Sequence, residues 1–318
     1  MENSSHNTSF ILSAYGGTGR IRYFCFTITL ILYVGIIVAN SFLIAVISVE
    51  RTLHEPMYLF LCALSANELY GSTALFPSLL VNILSDVQEI SKVNCFIQIF
   101  CLHTYGSIEF SNLAVMSYDR YVSICYPLDY NRIMTLDKAC VFLIFIWFFS
   151  MVRFAITLTL SVRLPLCGNI IEKVYCDNYS IVKLACTDTT VNNIYGLFTL
   201  FLSVGLHLLL IFYSYTEILR ICLNSPRQSQ IKAFNTCITH IVSLVNFSVG
   251  CLLEVIQSRL NMSHIPSEVR VALSLYFLIF PPLLNPIIYG LRITTIRTTF
   301  KKLRYCTIQL NDCAKHNI

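Results

Sequence analysis

Long apolar runs separated by short polar segments are the dominant pattern of the chain. A helix that crosses a bilayer needs about 20 predominantly apolar residues. Seven runs meet this length: Tyr23–Val49, Met57–Leu84, Cys95–Ile124, Ala139–Ser161, Asn192–Cys222, Ala233–Gln257 and Val269–Leu291. Backbone polar groups must be satisfied within lipid, so we expect helices and not strands. The pattern therefore predicts an all-α membrane protein, a bundle of seven transmembrane helices.

Composition and charge favour the same class of protein. Hydrophobic residues make up 56% of the chain and charged residues 12%, against about 25% charged residues in soluble domains. The first residues are polar and lack the apolar core of a cleavable signal peptide. An extracellular N-terminus places the larger share of Lys and Arg inside, as the positive-inside rule requires. We predict an extracellular tail over 1–22, a seven-helix domain over 23–291 and a cytoplasmic segment over 292–318.

The two ends of the chain carry signals of their own. Asn3 and Asn7 begin sequons that are used only on the lumenal side, so we predict a glycosylated tail. Sequons at Asn178 and Asn261 would also lie outside, and the sequence leaves their use open. After Leu291 the chain is basic, with apolar residues at helical spacing, which predicts a short amphipathic helix on membrane lipid. The sequence also leaves open the palmitoylation of two cysteines in this segment, Cys306 and Cys313.

Charged residues stand at the end of the third apolar run, in MSYDRYVSIC (Met116–Cys125). Asp119 and Arg120 are too costly for the centre of a bilayer, so we place them at its edge. There they pair with each other or with a partner protein. Such a pair is either the latch of a two-state switch or a cap at a helix end, and the tripeptide alone does not decide between these roles.

Cysteines cluster in the segments that the predicted topology places outside. Cys95, Cys167, Cys176 and Cys186 form an even set in an oxidising compartment, which indicates two disulfides with three possible connectivities. Most other cysteines lie in apolar runs, where they are expected to pack as small hydrophobic residues. No metal cluster with a known ligand spacing is visible in the sequence.

Carboxylates and prolines inside the predicted spans also need an explanation. Glu68 and Glu109 are intramembrane acids, which are costly unless they have partners. Two like charges that meet would hold one proton or one cation between them, and two protonated structural acids are the alternative. In the seventh run, Pro286 and the prolines before it remove backbone donors. We expect that helix to bend or break, with Asn285 filling the freed hydrogen bonds.

Five longer motifs make the picture more specific. They are LHEPMYLFL (Leu53–Leu61), MSYDRYVSIC (Met116–Cys125), SYTEIL (Ser214–Leu219), KAFNTCITH (Lys232–His240) and PPLLNPIIYGLR (Pro281–Arg292). With these motifs in this order among seven spans, the chain resembles the rhodopsin-like G-protein-coupled receptors and, more closely, the olfactory receptor family. The HEPMY form and the loop sequence are more like the fish-like subgroup of that family.

The resemblance implies a function for the whole chain. It implies a multi-pass receptor of the plasma membrane, not an enzyme, in which a small-molecule odorant binds between the helices. Binding would activate a stimulatory olfactory-type heterotrimeric G protein and raise cyclic AMP. The implied partners are the odorant, the G protein and membrane lipid, without nucleic acid. No cofactor is required, although the pair of acids could hold a sodium ion.

The resemblance also assigns residues to sites. It pairs Cys95 with Cys176 and Cys167 with Cys186. It lines the ligand site with Ile99, Leu102, His103, Gly106, Ser107, Tyr195, Thr199, Ser203, Cys251, Val255, Ser258 and Arg259. It assigns an activation switch, in which Tyr289 meets Tyr215 on activation, to Asp119, Arg120, Tyr215, Lys232, His240, Asn285, Pro286 and Tyr289. It places the cation or proton site at Asn40, Glu68, Glu109 and Asn285.

Two arginines are candidates for contact with an anionic ligand. Arg259 could meet a ligand carboxylate together with His103, because Arg binds carboxylates in a bidentate geometry. The alternative is an interfacial residue whose charge reaches the membrane surface. Arg153 lies within the fourth span and must pair with something, either Glu254 or a ligand anion.

Two other functions compete with an odorant receptor. The first is a rhodopsin-like receptor for a non-odorant small molecule or a peptide. An amine receptor would lack its usual aspartate, because Leu102 occupies that part of the third span. The second is an ion-conducting protein or transporter that uses Glu68, Glu109 and Glu254 as an ion path. Transporters often contain repeated groups of spans, and none is visible here.

Overall fold

The computed structural model of the protein describes residues 9–15, 21–260, 265–292 and 298. Seven helices of at least 26 residues run through this part of the chain. They are α1 (Ile21–Val49), α2 (Pro56–Leu84), α3 (Lys92–Cys125), α4 (Leu136–Val162), α5 (Thr190–Leu223), α6 (Arg227–Arg259) and α7 (Ser267–Arg292). Each covers one predicted apolar run and begins or ends a few residues beyond it. The predominantly helical class is thus confirmed.

Five of these helices are long and apolar enough to cross a membrane: α1, α4, α5, α6 and α7. α2 and α3 are 29 and 34 residues long but carry more polar side chains. α3 packs against α2, α4, α5 and α6. Its buried polar residues, such as Glu109 and Asn112, are therefore covered by protein. This position explains how a polar helix can occupy the centre of an apolar bundle.

A small sheet closes one end of the bundle, which we call the sheet end. Its strands are β1 (Ser9–Leu12), β2 (Glu89–Ser91) and β3 (Ile170–Ile171), in the order β2-β1-β3. β1 pairs antiparallel with β2 and parallel with β3, and it buries Phe10 and Leu12 completely. The polar N-terminal segment thus contains a structural strand that its composition did not predict.

Two disulfides strengthen the sheet end. Cys95–Cys176 joins the start of α3 to the segment between α4 and α5, and Cys167–Cys186 closes a loop within that segment. These are the pairings that the resemblance implies. A short helix, Asn178–Lys183, lies in the same segment. Other predicted features lie outside the described residues: Asn3, Asn7, Asn261, Cys306, Cys313 and, except for residue 298, the amphipathic helix after α7.

The seventh helix continues through its prolines, so the break, one of the two predicted outcomes, does not occur, and the bend stays a prediction. Pro286 has no N–H, which leaves the Pro282 carbonyl without its helical partner. Asn40 of α1 donates its amide to this carbonyl at 2.8 Å. We expected Asn285 to fill the freed hydrogen bond, but its amide binds acidic side chains instead. The hydrogen bond to the Pro282 carbonyl thus comes from a neighbouring helix, α1.

The end of the bundle opposite the sheet, called here the Arg120 end, has short connections. A 3-10 turn (Arg51–Leu53) joins α1 to α2, and a short helix (Tyr130–Ile133) joins α3 to α4. Thr135 caps α4 by accepting a hydrogen bond from the backbone N–H of Lys138. Within α5, residues Phe201–Gly205 form a π turn, which places one extra residue in the helix.

Candidate ligand site and activation switch

The two predicted acids meet in the centre of the bundle. Glu68 of α2 and Glu109 of α3 are fully buried. The amide of Asn285 in α7 donates to Glu68 Oε1 at 2.6 Å and to Glu109 Oε1 at 3.4 Å. Because one nitrogen reaches both carboxyl groups, they are close neighbours, and two negative charges here would repel strongly. The arrangement suits a pair that shares one positive charge.

Two residues that the sequence did not single out complete this cluster. Tyr105 donates its hydroxyl to Glu68 Oε2 at 2.9 Å, and Asn67 donates its amide to Glu109 Oε2 at 2.8 Å. Tyr105 lies one turn before Glu109, so helical spacing could have indicated it. Asn67 directly precedes Glu68, and adjacent helical residues do not face each other, so spacing gave no signal for Asn67. Asn40, which was predicted in this site, instead donates to backbone carbonyls of α1 and α7.

At the Arg120 end of α3, Asp119 and Arg120 form an ion pair. Asp119 is fully buried, and the hydroxyl of Tyr130 donates to its Oδ1 at 2.8 Å. Tyr130 was not singled out by the sequence, and it comes from the short helix after α3. The predicted latch therefore has a closed geometry, with the guanidinium held by the neighbouring acid.

A second contact at this end joins α5, α6 and α3. His240 of α6 donates Nε2–H to the Leu113 carbonyl at 2.9 Å when Nδ1 accepts from the Tyr215 hydroxyl at 2.5 Å. Tyr289 is buried in the same apolar cluster, against which Tyr215 packs. In this structure the hydroxyl of Tyr215 is thus bonded to His240. The side chain of Lys232 lies outside the described residues.

The predicted ligand residues of α3 lie in the half of the bundle near the sheet. Ile99, Leu102 and Ser107 are buried. The His103 ring bonds the Ile99 carbonyl through Nδ1 at 3.0 Å. Beside Gly106 there is open space, because an added Cβ would meet no heavy atom within 4 Å. An apolar helix face next to unfilled volume is the usual setting of a small-molecule site.

The predicted ligand residues of α5 flank the π turn. Thr199 and Ser203 are buried and donate their hydroxyls to carbonyls of their own helix, at 2.9 and 2.7 Å. The Tyr195 hydroxyl donates to the Arg153 carbonyl of α4 at 3.4 Å. With their protons used in this way, the hydroxyl oxygens of Thr199 and Ser203 remain available as acceptors.

The predicted residues of α6 fall into two groups. Cys251 and Val255 are partly buried along the helix. Ser258 accepts a hydrogen bond from Lys173 Nζ at 2.9 Å. Arg259 is exposed, and its guanidinium lies 4.1 Å from the Tyr179 ring centroid. The structure therefore places Arg259 at the sheet end of α6, stacked on the segment between α4 and α5, which we call the covering segment.

A buried ion cluster fastens that covering segment to α6. Lys173 Nζ binds Asp177 at 3.0 Å and also pairs with Glu254 of α6. Burial is the largest single influence on Asp177 and would raise its pKa. The charge of Lys173 and the hydrogen bonds from Ser180 and Lys173 together outweigh burial and lower this pKa. Burial would lower the pKa of Lys173, but the two carboxylates outweigh it and raise this pKa. No partner of Lys173 was predicted from the sequence.

The proposed pairing of Arg153 with Glu254 is wrong, because Lys173 occupies that acid. Arg153 instead donates Nη2–H to Ser107 Oγ. Ser107 Oγ also lies 3.0 Å from Ser150 Oγ. One turn further along α3, Ser111 contacts His207 Nε2 of α5 at 2.9 Å. Ser150 and His207 were missed, although His207 follows Ser203 by one helical turn.

Known structures and sequences resemble this chain over most of its length. Squid rhodopsin superposes with a TM-score of 0.70 at 16% identity, covering 90% of this chain and 86% of that one. The fold is therefore that of a rhodopsin-like receptor. The olfactory receptor family profile matches residues 28–306. Olfactory receptor 52D1 of Homo sapiens is 37% identical over 86% of each chain. Olfactory receptor 51E1 of Homo sapiens is 34% identical over 95% of each.

These similarities extend across the whole bundle, and the chain belongs to the olfactory receptor family. Members of this family are receptors and not enzymes. The prediction of a fish-like subgroup stays a prediction.

Proposed function

We propose that this chain is an odorant receptor of the plasma membrane in which all seven long helices cross the bilayer. The sheet end faces outside and the Arg120 end faces the cytoplasm. The polar N-terminal tail, its predicted glycosylation at Asn3 and Asn7, and the two disulfides suit an oxidising exterior. The greater share of basic residues in the opposite segments supports this direction.

The proposed ligand chamber lies between α3, α5 and α6 beneath the segment that carries the disulfides. Apolar residues such as Leu102 and Val255 supply its walls, and His103, Ser107, Thr199 and Ser203 orient the ligand. A small volatile molecule can be buried here with few hydrogen bonds. Ser258 and Arg259 belong to the rim, where they hold the covering segment.

The observation that carries the function is the closed latch of Asp119 and Arg120 at the end of the helix that also lines the chamber. A ligand that binds the open arrangement more tightly would release Arg120 to line a cavity for a G protein. Tyr215, Lys232, His240, Asn285, Pro286 and Tyr289 would change partners in the same step. The G protein is the stimulatory olfactory type, so the output is cyclic AMP.

The Glu68–Glu109 pair is proposed to stabilise the resting state by holding one proton or one sodium ion. Carboxylate oxygens suit either occupant. Buried oxygens without hydrogen-bond partners among the described residues lie on α2, at Asn67 and Ser72, and on the neighbouring α1, at Asn40. Basal cyclic AMP measured in sodium and in choline medium distinguishes the two. If basal cyclic AMP depends on sodium in the wild type but not in Glu109→Gln, the occupant is sodium. If basal cyclic AMP does not depend on sodium but changes with pH, the occupant is the proton.

A cyclic AMP reporter in cells that contain the olfactory-type G protein tests the function. A panel of acids, alcohols, aldehydes and esters should include at least one that raises cyclic AMP in the wild type but not in Arg120→Ala. Surface display of both proteins, measured with an N-terminal epitope, controls for folding. A normal response of Arg120→Ala would contradict the proposed switch.

A further inference from the structure

Arg153 of α4 is a buried cation without a counter-ion in the described part of the chain. The residue is 5% exposed. It takes part in none of the ion pairs found among residues 9–15, 21–260 and 265–292. A guanidinium within a membrane helix is costly unless an anion or several acceptors compensate it. Arg153 therefore requires an anionic partner that the described residues do not supply.

The hydrogen bonds of Arg153 are also incomplete. Its Nη2 donates to Ser107 Oγ, while Nε and Nη1 are buried without an acceptor among the described residues. The rings of Phe149 and Phe154 lie 5.4 and 5.1 Å from Cζ. Such rings attract the cation but leave its N–H groups unsatisfied. The missing partner must thus supply acceptor oxygens.

Open space adjoins this arginine on the α3 side. Gly106, whose Cβ position is empty to 4 Å, directly precedes Ser107. One turn earlier on the same face, His103 packs against Phe154 with 5.4 Å between the ring centroids. The space beside Gly106 is therefore bordered by residues that touch Arg153 and Phe154. Its position offers room for an apolar body next to an unpaired charge.

The surrounding polar groups provide no negative charge. Ser107 and Ser150 contact each other through their hydroxyls, and Ser111 contacts His207. Hydroxyls and an imidazole can accept or donate single hydrogen bonds, but they cannot neutralise a guanidinium. A carboxylate would neutralise the guanidinium and also accept its hydrogen bonds, because its two oxygens accept charge-assisted hydrogen bonds from Arg.

We propose that Arg153 binds the carboxylate of a small organic acid whose apolar part lies beside Gly106. This inference names the ligand class of the proposed chamber and rests on that chamber, but it does not depend on coupling to a G protein. A matched alcohol lacks the charge and should bind far more weakly. A bare inorganic anion would satisfy the arginine but leave the space beside Gly106 unfilled.

Thermal unfolding of the purified full-length receptor in detergent tests the inference without any signalling step. The probes are straight-chain monocarboxylates from propanoate to nonanoate, each matched with the primary alcohol and the methyl ester of the same chain length. At least one acid should raise the unfolding temperature of the wild type while its alcohol does not. Arg153→Gln should weaken the apparent affinity for that acid about 10- to 100-fold. Arg163→Gln removes the same charge from the exposed residue that follows α4, and it should keep the shift.

Several outcomes would overturn the inference. These are equal shifts in the wild type and Arg153→Gln, no shift with any acid, or full stabilisation by sodium chloride that acids do not exceed. If Arg153→Gln does not fold, Arg153→Lys keeps the charge and loses the planar fork. It should then weaken acid binding about tenfold, and unchanged binding counts against the inference. Acid binding without a cyclic AMP response would contradict the proposed signalling alone, whereas responses to alcohols without acid binding would contradict this inference alone.

Discussion

Lys173, in the segment between α4 and α5, forms a buried ion pair with Glu254 of α6. The same ammonium group binds Asp177 at 3.0 Å and Ser258 at 2.9 Å. The segment that covers the proposed ligand chamber is therefore fastened to α6, and the Cys95–Cys176 disulfide joins it to α3 as well. Any displacement of α6 near the sheet must move this segment or break the ion pair.

Replacement of Lys173 by Met should lower the free energy of unfolding by about 3–5 kcal/mol, because it leaves two buried carboxylates without their cation. Thermal or denaturant unfolding of the purified receptor measures this loss. Arg132→Met is the matched control, since Arg132 pairs with Asp129 at 3.2 Å on the surface. It should cost about 1 kcal/mol or less. Equal losses in the two variants would contradict the buried role of Lys173.

The pH dependence of stability should show a plateau between about pH 5 and pH 9. Asp177 has a lowered pKa, so its contribution is present above its unfolded pKa of about 3.9 and is lost as the pH falls through the folded value. Lys173 has a raised pKa, so its contribution is present below about pH 10.4 and is lost as the pH rises through the folded value. Asp177→Asn should flatten the acid limb of the unfolding temperature curve. An acid limb that is the same in this variant would show that other groups cause it.

Asp119→Asn should raise basal cyclic AMP several-fold, because the neutral amide no longer holds Arg120 by charge. Tyr130→Phe should raise it less, since it removes one hydrogen bond to Asp119, worth about 1 kcal/mol. The comparison is made at equal surface display with the reporter described above. Tyr126→Phe, which alters an exposed tyrosine beyond the end of α3, is the control. A basal signal that stays at wild-type level in Asp119→Asn would rule out the latch.

Loss of the Cys95–Cys176 disulfide should damage the receptor more than loss of Cys167–Cys186. The first bond spans 81 residues and the second 19, so chain entropy alone makes the first worth about 1 kcal/mol more. Cys95→Ser should retain most of the chain inside the cell, as flow cytometry of an N-terminal epitope would show. Cys140→Ser, at an exposed free thiol, should leave display unchanged. Normal trafficking and response of Cys95→Ser would speak against a structural role.

Substitution by Ala should lower surface display at Gly250 but not at Gly106. At Gly250 an added Cβ would lie 2.6 Å from Phe277 Cβ and 2.9 Å from its Cα, so α6 and α7 must separate and display should fall. At Gly106 nothing lies within 4 Å, so Gly106→Ala should be displayed normally while the affinity for bulky ligands falls. Ligand concentration curves at matched display measure the second effect. Unchanged curves for every ligand would remove Gly106 from the chamber.

Apolar periodicity was sufficient to predict the long helices, because each of them exceeds the length that a bilayer requires. Short motifs likewise predicted Asp119, Arg120, Tyr215 and His240 at one end of the bundle. Such features are local in sequence. A run of apolar residues keeps its meaning without knowledge of the rest of the chain, whereas the charged tripeptide acquired a predicted role only together with the other motifs.

Long-range partners could not be predicted in this way. The strand Ser9–Leu12 is only four residues long, and its partners lie at Glu89–Ser91 and Ile170–Ile171. The bond from Asn40 to the Pro282 carbonyl joins residues 242 positions apart. Lys173 reaches Glu254, 81 positions away, from a loop that the Cys95–Cys176 disulfide joins to α3. In each case the contact depends on how distant segments pack, which composition does not encode.

The π turn at Phe201–Gly205 divides α5 into two parts whose relative rotation depends on a single residue. If that turn tightened into regular α-helix, everything after Gly205 would rotate by about 100° relative to Thr199. Tyr215 would then swing away from His240, and His207 away from Ser111. A ligand that contacts α5 beside this turn would thus act as a torsional control. A shift of one residue in helical register near the proposed chamber would become a change of partner at the Arg120 end.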